Sequence, residues 1–341
     1  MSIKVPEISI VIVGFKSKQY LDSCLTSIKR QSIYNPHTVE VLYIDNGSFD
    51  GSVPIIQRLY PWVSTVRNMK NIGYPAALNI GVHYSSGDYI LVMNADVVLE
   101  KNYLENALKK MKQDNHIAAI ACKIYQYDFT ASAKTSVFET VGIHAMCDRE
   151  MLSARGANDF GQLDKQEDIY SVRDICAFYR KSSLLDVKIG DEYFDEDFFL
   201  YWEDLDLCWR LHLFGWRVIY SPSLVSYHAA ETKNVPLILK IKERERDYFK
   251  RNERLMIIKN EFCRNCIGDF FNVFKRLLRP KGFMEFMRLL PSMLKKRWYI
   301  MRHKRASAAE MKKWFISSKS KKYLTYKAKH LETYAQFPPT N

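Results

Sequence analysis

Long apolar runs, leader features and a regular cysteine framework are all missing from this chain of 341 residues. No uncharged stretch approaches the roughly 20 apolar residues that a membrane-spanning helix needs. The first residues do not combine a basic segment, an apolar core and a small-residue cleavage site, which mark a secretory leader. The seven cysteines are an odd number and are widely spread, which argues against disulfides. We therefore expect reduced thiols and a cytoplasmic location.

Common zinc and nucleotide motifs are also missing. Cys263 and Cys266 form one CxxC pair, but a structural zinc site requires a second ligand pair and none follows nearby. We expect two ordinary thiols there. Neither GxGxxG nor a Walker A sequence occurs, which argues against a nicotinamide-dependent oxidoreductase. Hydrophobic residues make up 47% of the chain and aromatic residues 13%, which excludes disordered, collagen-like and low-complexity proteins.

Positive charge is confined to the last third of the chain. Residues 1–230 contain 23 basic and 28 acidic side chains, a net charge of −5, whereas residues 231–341 contain 28 and 10, a net charge of +18. Lys and Arg alternate there with apolar residues, for example over 270–279 and 293–302. This pattern suits helices in an anionic membrane interface, helices packed on the core with basic outer faces, or a nucleic-acid arm. We favour the membrane and expect no nucleic acid.

Short apolar segments alternate with amphipathic segments in the first third. The predicted strands are 8–15, 39–44, 89–93 and 117–124, and the predicted helices are 19–30, 53–59, 76–84 and 103–112. Near-continuous apolar strands separated by such helices predict βαβ units and a mostly parallel sheet. Right-handed crossovers bring the carboxyl ends of the strands to one edge, where ligands bind in open α/β sheets.

The next part of the chain is less regular. Residues 126–172 are polar and predict loops or an inserted flap. Order returns with predicted strands at 175–179 and 217–220 and a predicted helix at 202–214. The whole core is therefore expected to be an α/β fold in which helices flank a mostly parallel central sheet.

A basic α-helical region is predicted to follow this core. Its long helices begin near Lys240, with breaks expected near Pro280 and Pro291. We expect two domains, a catalytic one over residues 1–235 and a basic one over residues 236–341, for which membrane association is the favoured role.

Polar residues follow two of the predicted strands directly. Asp45 ends the second strand and could bind a nucleobase or ribose, or form an Asx turn. Asn94-Ala95-Asp96 ends the third strand. Asp96 could bind a hard divalent cation that also holds substrate phosphates, or cap a helix. Between these strands, Gly73 precedes a helix whose first amides could bind an anion.

Carboxylates are densest over residues 191–206. Asp206 and Arg210 are four residues apart and are predicted to pair on the surface. Asp204 instead shares a helix face with apolar residues, and a carboxylate on such a face is unusual unless it is paired or functional. We interpret Asp204 as a general base, with a helix-dipole role as the alternative. His228, taken alone, is more typical of a structural histidine.

Six segments carry a family resemblance, in this order: ISIVIVGFKS, VLYIDNGSFDGS, NIGYPAALNIG, GDYILVMNADVVL, FDEDFFLYWEDLDLCWRLHLFGW and YSPSLVSYH. Together they resemble glycosyltransferase family 2, whose members are inverting and have the GT-A fold. The resemblance covers about residues 8–230 and continues weakly to about residue 260. Within the family the chain is most similar to the bacterial rhamnosyltransferase-type branch, which builds O-antigen and other surface polysaccharides.

The resemblance implies roles for individual residues. Asp204 matches the catalytic base and Glu203 the neighbouring acid. Asp96 is implied as the ligand of Mg²⁺ or Mn²⁺, and His228 matches a late histidine that completes the metal site in some members. Asn94 stands where the family has the first Asp of its DXD motif, which is a departure. The implied nucleotide-sugar-binding residues are Val13, Phe15, Asp45, Asn71, Gly73, Asn79, Asn94, Ala95, Asp96 and Trp202.

The implied activity is inverting transfer of one sugar, with L-rhamnose from dTDP-rhamnose as the first choice. The implied acceptor is a saccharide or a polyprenyl-diphosphate-linked acceptor, and the latter suits peripheral attachment to the cytoplasmic face of the inner membrane. An oligomer is possible. The alternatives are a UDP-hexose or UDP-N-acetylhexosamine donor, or a catalytically inactive basic interaction protein, which the substitution at Asn94 favours.

Overall fold

The structure, a computed structural model, describes residues 5–147, 150–151, 154–229, 243–262 and 280–316. The helices within them are α1 (Leu21–Lys29), α2 (Ser52–Leu59), α3 (Tyr74–Tyr84), α4 (Tyr103–Gln113), α5 (Lys181–Asp186), α6 (Glu203–Leu213), α7 (Glu243–Asn260), α8 (Pro280–His303) and α9 (Ala308–Met311). The strands are β1 (Ile8–Gly14), β2 (Val39–Asp45), β3 (Ser64–Arg67), β4 (Tyr89–Asn94), β5 (Val97–Leu99), β6 (Ile117–Asp128), β7 (Ala133–Thr140), β8 (Met146–Cys147), β9 (Glu150–Met151), β10 (Glu167–Asp168), β11 (Cys176–Arg180), β12 (Arg217–Ala229) and β13 (Phe315–Ile316).

Four parallel strands form the amino-terminal half of the central sheet, in the order β3-β2-β1-β4. The register pairs Gly14 with Asp45 and Val13 with Asn94. The carboxyl ends of β1, β2 and β4 therefore lie level at one edge, as the βαβ pattern predicts. The predicted strands and helices of this half agree with the structure to within a few residues, whereas the short strands β3 and β5 were not predicted.

The other half of the sheet contains antiparallel pairs. Strand β11 runs antiparallel between β4 and β6, and β12 then pairs in parallel with β6. The end of β12 also pairs antiparallel with β5, which places His228 opposite Val97. This pairing brings the end of β12 back to the ligand edge of β4.

Side chains from both faces of the sheet are buried, so the fold has three layers. Ile10 and Ile12 of β1 belong to a hydrophobic cluster with residues of α1, α2 and α4. Val11 and Val13 point the other way and belong to a cluster with residues of α3, α5, α6, α7 and α8. The near-continuous apolar strands are explained by this burial on two faces. Helices α7 and α8 thus contribute to the same core as the sheet.

The prediction of loops over residues 126–172 is wrong in part. Strand β6 continues to Asp128 and pairs antiparallel with β7, and Tyr125 stacks on Phe138 with ring centroids 5.3 Å apart. Polar and small residues occupy the exposed part of β7. They conceal the alternation of apolar and polar side chains that marks a strand.

The break predicted at Pro291 is also wrong, because α8 continues through this residue. Pro291 lies on the exposed side of the helix, as does Met287 four residues earlier. The Met287 carbonyl, which loses its intrahelical donor, can therefore be hydrated. Pro280 begins α8, which is where proline is tolerated in a helix.

Several expectations lie outside the described residues. These are the CxxC pair Cys263 and Cys266, the basic segment 270–279 and the predicted domain boundary at 235. Among the helices that the structure does describe, no helix has both the length and the apolar character needed to cross a bilayer.

Candidate active site

A cleft of about 600 Å³ opens at the carboxyl edge of the parallel strands. Seven of the predicted nucleotide-sugar-binding residues line it: Val13, Phe15, Asn71, Gly73, Asn94, Ala95 and Asp96. Nine further lining residues were not predicted: Lys16, Ser17, Tyr20, Asn46, Tyr74, Phe199, Leu200, Glu245 and Tyr248. The expectation that ligands bind at the carboxyl ends of the parallel strands thus located the cleft. Residues from later elements complete its wall.

Asp45 is almost fully buried, at 2% exposure, and among the described residues it is not part of the cleft lining. Its Oδ1 accepts a hydrogen bond from the Ser48 amide at 3.0 Å, and its Oδ2 lies 3.6 Å from Arg67 Nε. Asp45 therefore closes a local turn onto the amide three residues on, one residue further than in the Asx turn that was the alternative. Binding of the nucleobase by Asp45 stays a prediction.

Asn46 organises the loop before α3. Its amide donates to the Gly73 carbonyl at 3.1 Å, and its Oδ1 accepts from the Ile72 amide at 3.1 Å. Gly73 has a φ of +95°, and a Cβ there would lie 2.8 Å from the Phe199 carbonyl oxygen. Glycine is therefore required for α3 to begin against the loop that carries Phe199.

Two predicted binding residues support the cleft from outside its lining. Asn79 is buried, its amide donates to the Phe194 carbonyl and to Glu196 Oε1, and its Oδ1 accepts from the Tyr193 and Phe194 amides. All four of its hydrogen-bonding positions are thus used inside the protein. Trp202 is also buried and packs on Phe249 with ring centroids 5.0 Å apart.

Asp96 and His228 meet beside the cleft, with Asp96 Oδ1 3.3 Å from His228 Nε2. The Ala229 amide donates to the Asp96 carbonyl at 3.1 Å, which fixes the end of β12 against this loop. Burial lowers the pKa of His228, but the charge and hydrogen bond of Asp96 outweigh it and the net pKa is raised. The pair was predicted as the metal ligands, and the structure brings the two residues together.

The donor set fits a divalent cation only in part. Within the described ranges, no group of three His, Cys, Asp or Glu side chains could hold a metal ion. Mg²⁺ typically takes one or two carboxylates and completes its octahedron with water and substrate phosphates. Asp96 and His228 would therefore need oxygens from a bound diphosphate to complete a site.

Asn94 is hydrogen-bonded to a tyrosine side chain. Its Oδ1 lies 2.8 Å from Tyr74 Oη, which also lies 2.8 Å from the Asp174 carbonyl oxygen. Burial raises the pKa of Tyr74 well above its usual value, and four carboxylates add to the shift: Asp174, Glu203, Asp204 and Asp96. Tyr74 therefore lies between the strand-end residues and a second group of acids.

That second group is buried at the start of α6. Asp204 is 3% exposed, its Oδ2 lies 3.1 Å from Arg173 Nη1, and its Oδ1 accepts from the Leu205 amide at 2.8 Å. Asp174, which was not predicted, accepts from Tyr179 Oη at 2.5 Å.

Burial raises the pKa of all three acids in this group. Glu203 is raised well above its usual range, with the charges of Asp204 and Asp174 adding to burial. Asp174 rises to about 8 through burial and the charge of Asp204. The pKa of Asp204 is raised by burial, but Arg173 opposes the shift. Of the three acids, Asp204 is the one in direct contact with the Arg173 guanidinium within the described residues, which favours its ionised form over those of its neighbours.

Comparison with known proteins decides the family. A model of glycosyl transferase family 2 matches residues 9–187, more than half of the chain. The chain belongs to glycosyl transferase family 2. The family predicted from the motifs is therefore confirmed.

Curated relatives of this family 2 chain act on different sugars according to their names. A cholesterol galactosyltransferase of Borreliella burgdorferi is 28% identical over 127 residues, 37% of this chain and 34% of the relative. A chondroitin synthase of Pasteurella multocida is 29% identical over 119 residues, 34% of this chain and 12% of the relative. The match spans about a third of the first relative and an eighth of the second.

Solved structures agree in fold with this family 2 chain. GalNAc-T7 with UDP, GalNAc and Mn²⁺ has a TM-score of 0.56 at 13% identity, over 75% of this chain and 48% of that one. The mannosyltransferase PcManGT of Pyrobaculum calidifontis, with GDP-Man and Mn²⁺, has a TM-score of 0.50 at 16% identity, over 98% and 82%. The predicted GT-A fold is confirmed.

Helix α7 of the family 2 chain holds the loop before the acid pair. The Asn252 amide nitrogen lies 2.8 Å from the Phe198 and Leu200 carbonyl oxygens and 2.9 Å from that of Tyr201. Phe199, Tyr201 and Trp202 all have positive φ, a conformation that non-glycine residues adopt at a cost. Contacts from α7 therefore stabilise a strained backbone next to Glu203 and Asp204.

Two lysines of α7 and α8 pair with aspartates of the acid-rich segment 191–206, called the acidic segment below. Lys259 of α7 is fully buried and contacts Asp195 Oδ2 as well as Asp206 Oδ2, the latter at 2.7 Å. Lys296 of α8 lies 2.6 Å from Asp195 Oδ1 and 2.9 Å from Asp197 Oδ2. These contacts lower the pKa of Asp195 despite its burial.

The surface location predicted for the pair Asp206 and Arg210 is wrong. The two side chains do pair, at 3.2 Å, but they are 0% and 1% exposed. Lys259 and Asn260 of α7 both contact Asp206, so α7 covers this face of α6. The i,i+4 spacing predicts the pairing, whereas the covering helix determines the burial.

Proposed function

We propose that this chain is an inverting, metal-dependent glycosyltransferase that moves one sugar from a nucleotide donor to a saccharide acceptor. The observation that carries the proposal is a single cleft edge that combines Asp96 and His228 with the buried acids Glu203 and Asp204 nearby. Membership of family 2 supports the reaction class.

Asp204 would accept the proton of the acceptor hydroxyl as that oxygen attacks the anomeric carbon of the donor. The Arg173 guanidinium favours the ionised form of Asp204, whereas burial favours the protonated forms of Glu203 and Asp174. One base is sufficient for a single displacement, since no carboxylate nucleophile is needed. This assignment supports inversion at the anomeric carbon.

Asp96 and His228 would hold Mg²⁺ or Mn²⁺ together with the donor diphosphate. A bound divalent cation neutralises negative charge on the leaving nucleoside diphosphate. Asn94 would hydrogen-bond the ribose or a phosphate rather than bind metal. We expect turnover to require a divalent cation, and full turnover in excess EDTA would refute the metal role of Asp96.

For the donor we propose dTDP-rhamnose, on the basis of the segment NIGYPAALNIG and of YWEDLDLCWR with a late histidine. The acceptor would be a lipid-linked saccharide of surface polysaccharide or O-antigen synthesis. The second candidate is a UDP-hexose or UDP-N-acetylhexosamine donor, and the name of the galactosyltransferase relative favours a hexose.

A panel of nucleotide sugars in a thermal-shift assay with Mn²⁺ tests the proposal. We expect one donor to raise the melting temperature well above the shift given by the free nucleotide. Donor hydrolysis in the same mixtures separates an enzyme from an inactive interaction protein. A chain that neither binds nor hydrolyses any donor with Mn²⁺ would contradict the enzymatic function.

We also propose peripheral attachment to an anionic membrane through the outer face of α8. Exposed apolar residues recur at helical spacing on this face: Met284, Met287, Leu294 and Trp298. Exposed basic residues flank them: Arg288, Lys295 and Arg302. Apolar side chains bordered by cations are typical of interfacial helices.

Liposome sedimentation tests this attachment. We expect binding to vesicles that contain phosphatidylglycerol and little binding to phosphatidylcholine alone, with Trp298→Ala weakening it. Binding that does not depend on lipid charge would count against the proposal. The packing of the inner side of α8 on the core supports the non-membrane alternative for the rest of this helix.

A further inference from the structure

We propose that the first two turns of α7 form an acceptor-saccharide subsite, made of Glu245 and Tyr248 with Phe199. This inference rests on the proposed transferase function and goes beyond it, because the motifs that carry the family resemblance in full end before α7. Glu245 and Tyr248 are the described residues of α7 that line the cleft, and Phe199 faces the same cavity.

The position of these residues follows from the backbone around Asp204, the proposed general base. Phe199 and Leu200 immediately precede the turn that leads into Glu203 and Asp204, and both line the cleft. A general base must lie within hydrogen-bonding reach of the acceptor hydroxyl. The wall next to this turn is therefore the wall that the acceptor meets.

Glu245 is connected to the same turn by a hydrogen bond. Tyr201 Oη donates to Glu245 Oε2 at 3.3 Å. Burial raises the pKa of Tyr201 to about 12, and the charge of Glu245 contributes. Tyr201 therefore stays protonated as a donor. An ionised carboxylate has several lone pairs, so Glu245 can also accept hydrogen bonds from sugar hydroxyl groups.

Two aromatic rings lie beside this carboxylate. Tyr248 and Phe199 have ring centroids 5.2 Å apart at an interplanar angle of 32°, and Arg251 lies 4.9 Å from the centre of the Tyr248 ring. Binding sites for small polar ligands commonly combine aromatic walls with a few polar groups that fix orientation. An aromatic pair next to a hydroxyl-accepting carboxylate matches a sugar ring, which has an apolar face and a polar rim.

The proposed donor-binding residues have a different chemistry. Asn94 and Asp96 of the strand ends share the cleft lining with Lys16, Ser17 and Asn46. Lys16 and the amide side chains suit phosphate and ribose, and Asp96 would act through the proposed cation. Glu245 would instead repel a diphosphate, so we assign it to the acceptor.

The experiment measures transfer to the acceptor and binding of the donor separately. Octyl glycosides of glucose, galactose, N-acetylglucosamine and rhamnose serve as acceptor probes, with the donor selected by thermal shift and with Mn²⁺. For Glu245→Gln we expect kcat/KM toward the used glycoside to fall about 10- to 100-fold, as for the loss of a charged hydrogen bond. The dissociation constant of the donor should change less than about twofold, since Glu245 is not among the proposed donor-binding residues.

Matched variants make the result specific. Tyr248→Leu should lower kcat/KM for the glycoside about tenfold, whereas Tyr248→Phe keeps the ring and should restore most of it. Asp247→Asn makes the same charge change on the same helix, outside the described cleft lining, and should leave both constants unchanged.

Three results would overturn the subsite. They are an equal loss of donor affinity in Glu245→Gln, an equal loss of transfer in Asp247→Asn, and a wild-type chain that hydrolyses donor but uses no glycoside. A wild-type chain that does not bind any donor would instead refute the proposed transferase function.

Discussion

The region up to residue 229 and the helices after residue 243 differ in charge and in task. The first contains the cleft edge, Asp96 with His228, and the buried acids of α6, and residues 1–230 carry a net charge of −5. The second is strongly basic, yet Lys259 and Lys296 are directed inward and pair with aspartates of the first. Part of the C-terminal charge is therefore the counter-charge of the acidic core.

The two sides of helix α8 differ in the same way, one facing the acidic core and the other facing outward. Lys296 points into the acidic segment, with 11% of its side chain exposed, whereas Trp298 is 61% exposed on the outer face. The inner face stabilises the fold, and the outer face, which is exposed within the part of the chain that the structure describes, is available for the proposed membrane contact. Four experiments test this division, beginning with the largest expected effect.

This division of tasks assigns proton transfer to the region up to residue 229 alone. Asp204→Asn removes the proposed base with little change in volume, so we expect transfer to fall about 10³-fold or more. Donor binding should persist, because the strand-end residues are untouched. Initial rates and thermal shift with donor measure the two effects.

Asp191→Asn, an exposed acid of the same segment, is the control and should keep full activity. Loss of donor affinity in Asp204→Asn, with transfer intact at saturation, would show that this acid serves binding.

The division also predicts that the two regions unfold together. Lys259→Met removes a buried cation that two aspartates share. Breaking a buried ion pair typically costs 3–5 kcal/mol, and we expect about 3 kcal/mol here. The lower value follows because Arg210 still pairs with Asp206, and Lys296 with Asp195. Urea unfolding measures the loss, and Lys295→Met, an exposed neighbour of Lys296, is the control.

An unchanged midpoint for Lys259→Met, or two separate unfolding transitions in the wild type, would mean that the regions are independent.

Asn252 tests whether α7 positions the acid pair. Asn252→Ala leaves carbonyls of the strained loop without their donor, which we expect to cost about 1–3 kcal/mol of stability. Because the loop leads into Glu203 and Asp204, kcat should fall more than the donor KM rises. Steady-state kinetics and urea unfolding give both values.

Lys250→Ala, at an exposed position on the same helix, should change neither quantity. A pure loss of stability in Asn252→Ala, with kcat preserved at low temperature, would remove the positioning role.

The buried acids predict a pH dependence of stability. Asp174 has a folded pKa of about 8, above the ordinary aspartate value of 3.8, so the folded chain binds more protons between these pH values. Stability should therefore fall as pH rises from about 5 to 8, by about 1 kcal/mol per pH unit from this group. Asp174→Asn is neutral at every pH and should flatten the slope.

Urea unfolding at pH 5, 6, 7 and 8 makes the comparison. Parallel curves for the wild type and Asp174→Asn would mean that Asp174 does not hold the extra proton.

Much of the cleft could be predicted because it is built from strand ends. Val13, Asn94 and Asp96 follow from apolar runs that stop at polar residues, and parallel packing brings such ends together. Asp174 was missed, since it precedes an antiparallel strand and belongs to no spacing pattern. Tyr248 was missed because its helix lies beyond the family motifs and is one basic helix among several in the sequence.

The sequence by itself determined the four main strands and four helices of the amino-terminal half, the family, and the acids on the first turn of α6. Apolar periodicity encodes the buried face of each element, and such local patterns can be read directly. Only the tertiary structure decided that Asp96 meets His228, that Asp206 and Arg210 are buried, and that Lys259 faces inward. A lysine on a basic helix has the same local pattern whether it faces water or an aspartate. Its partner is set by the stacking of elements that are distant in the chain.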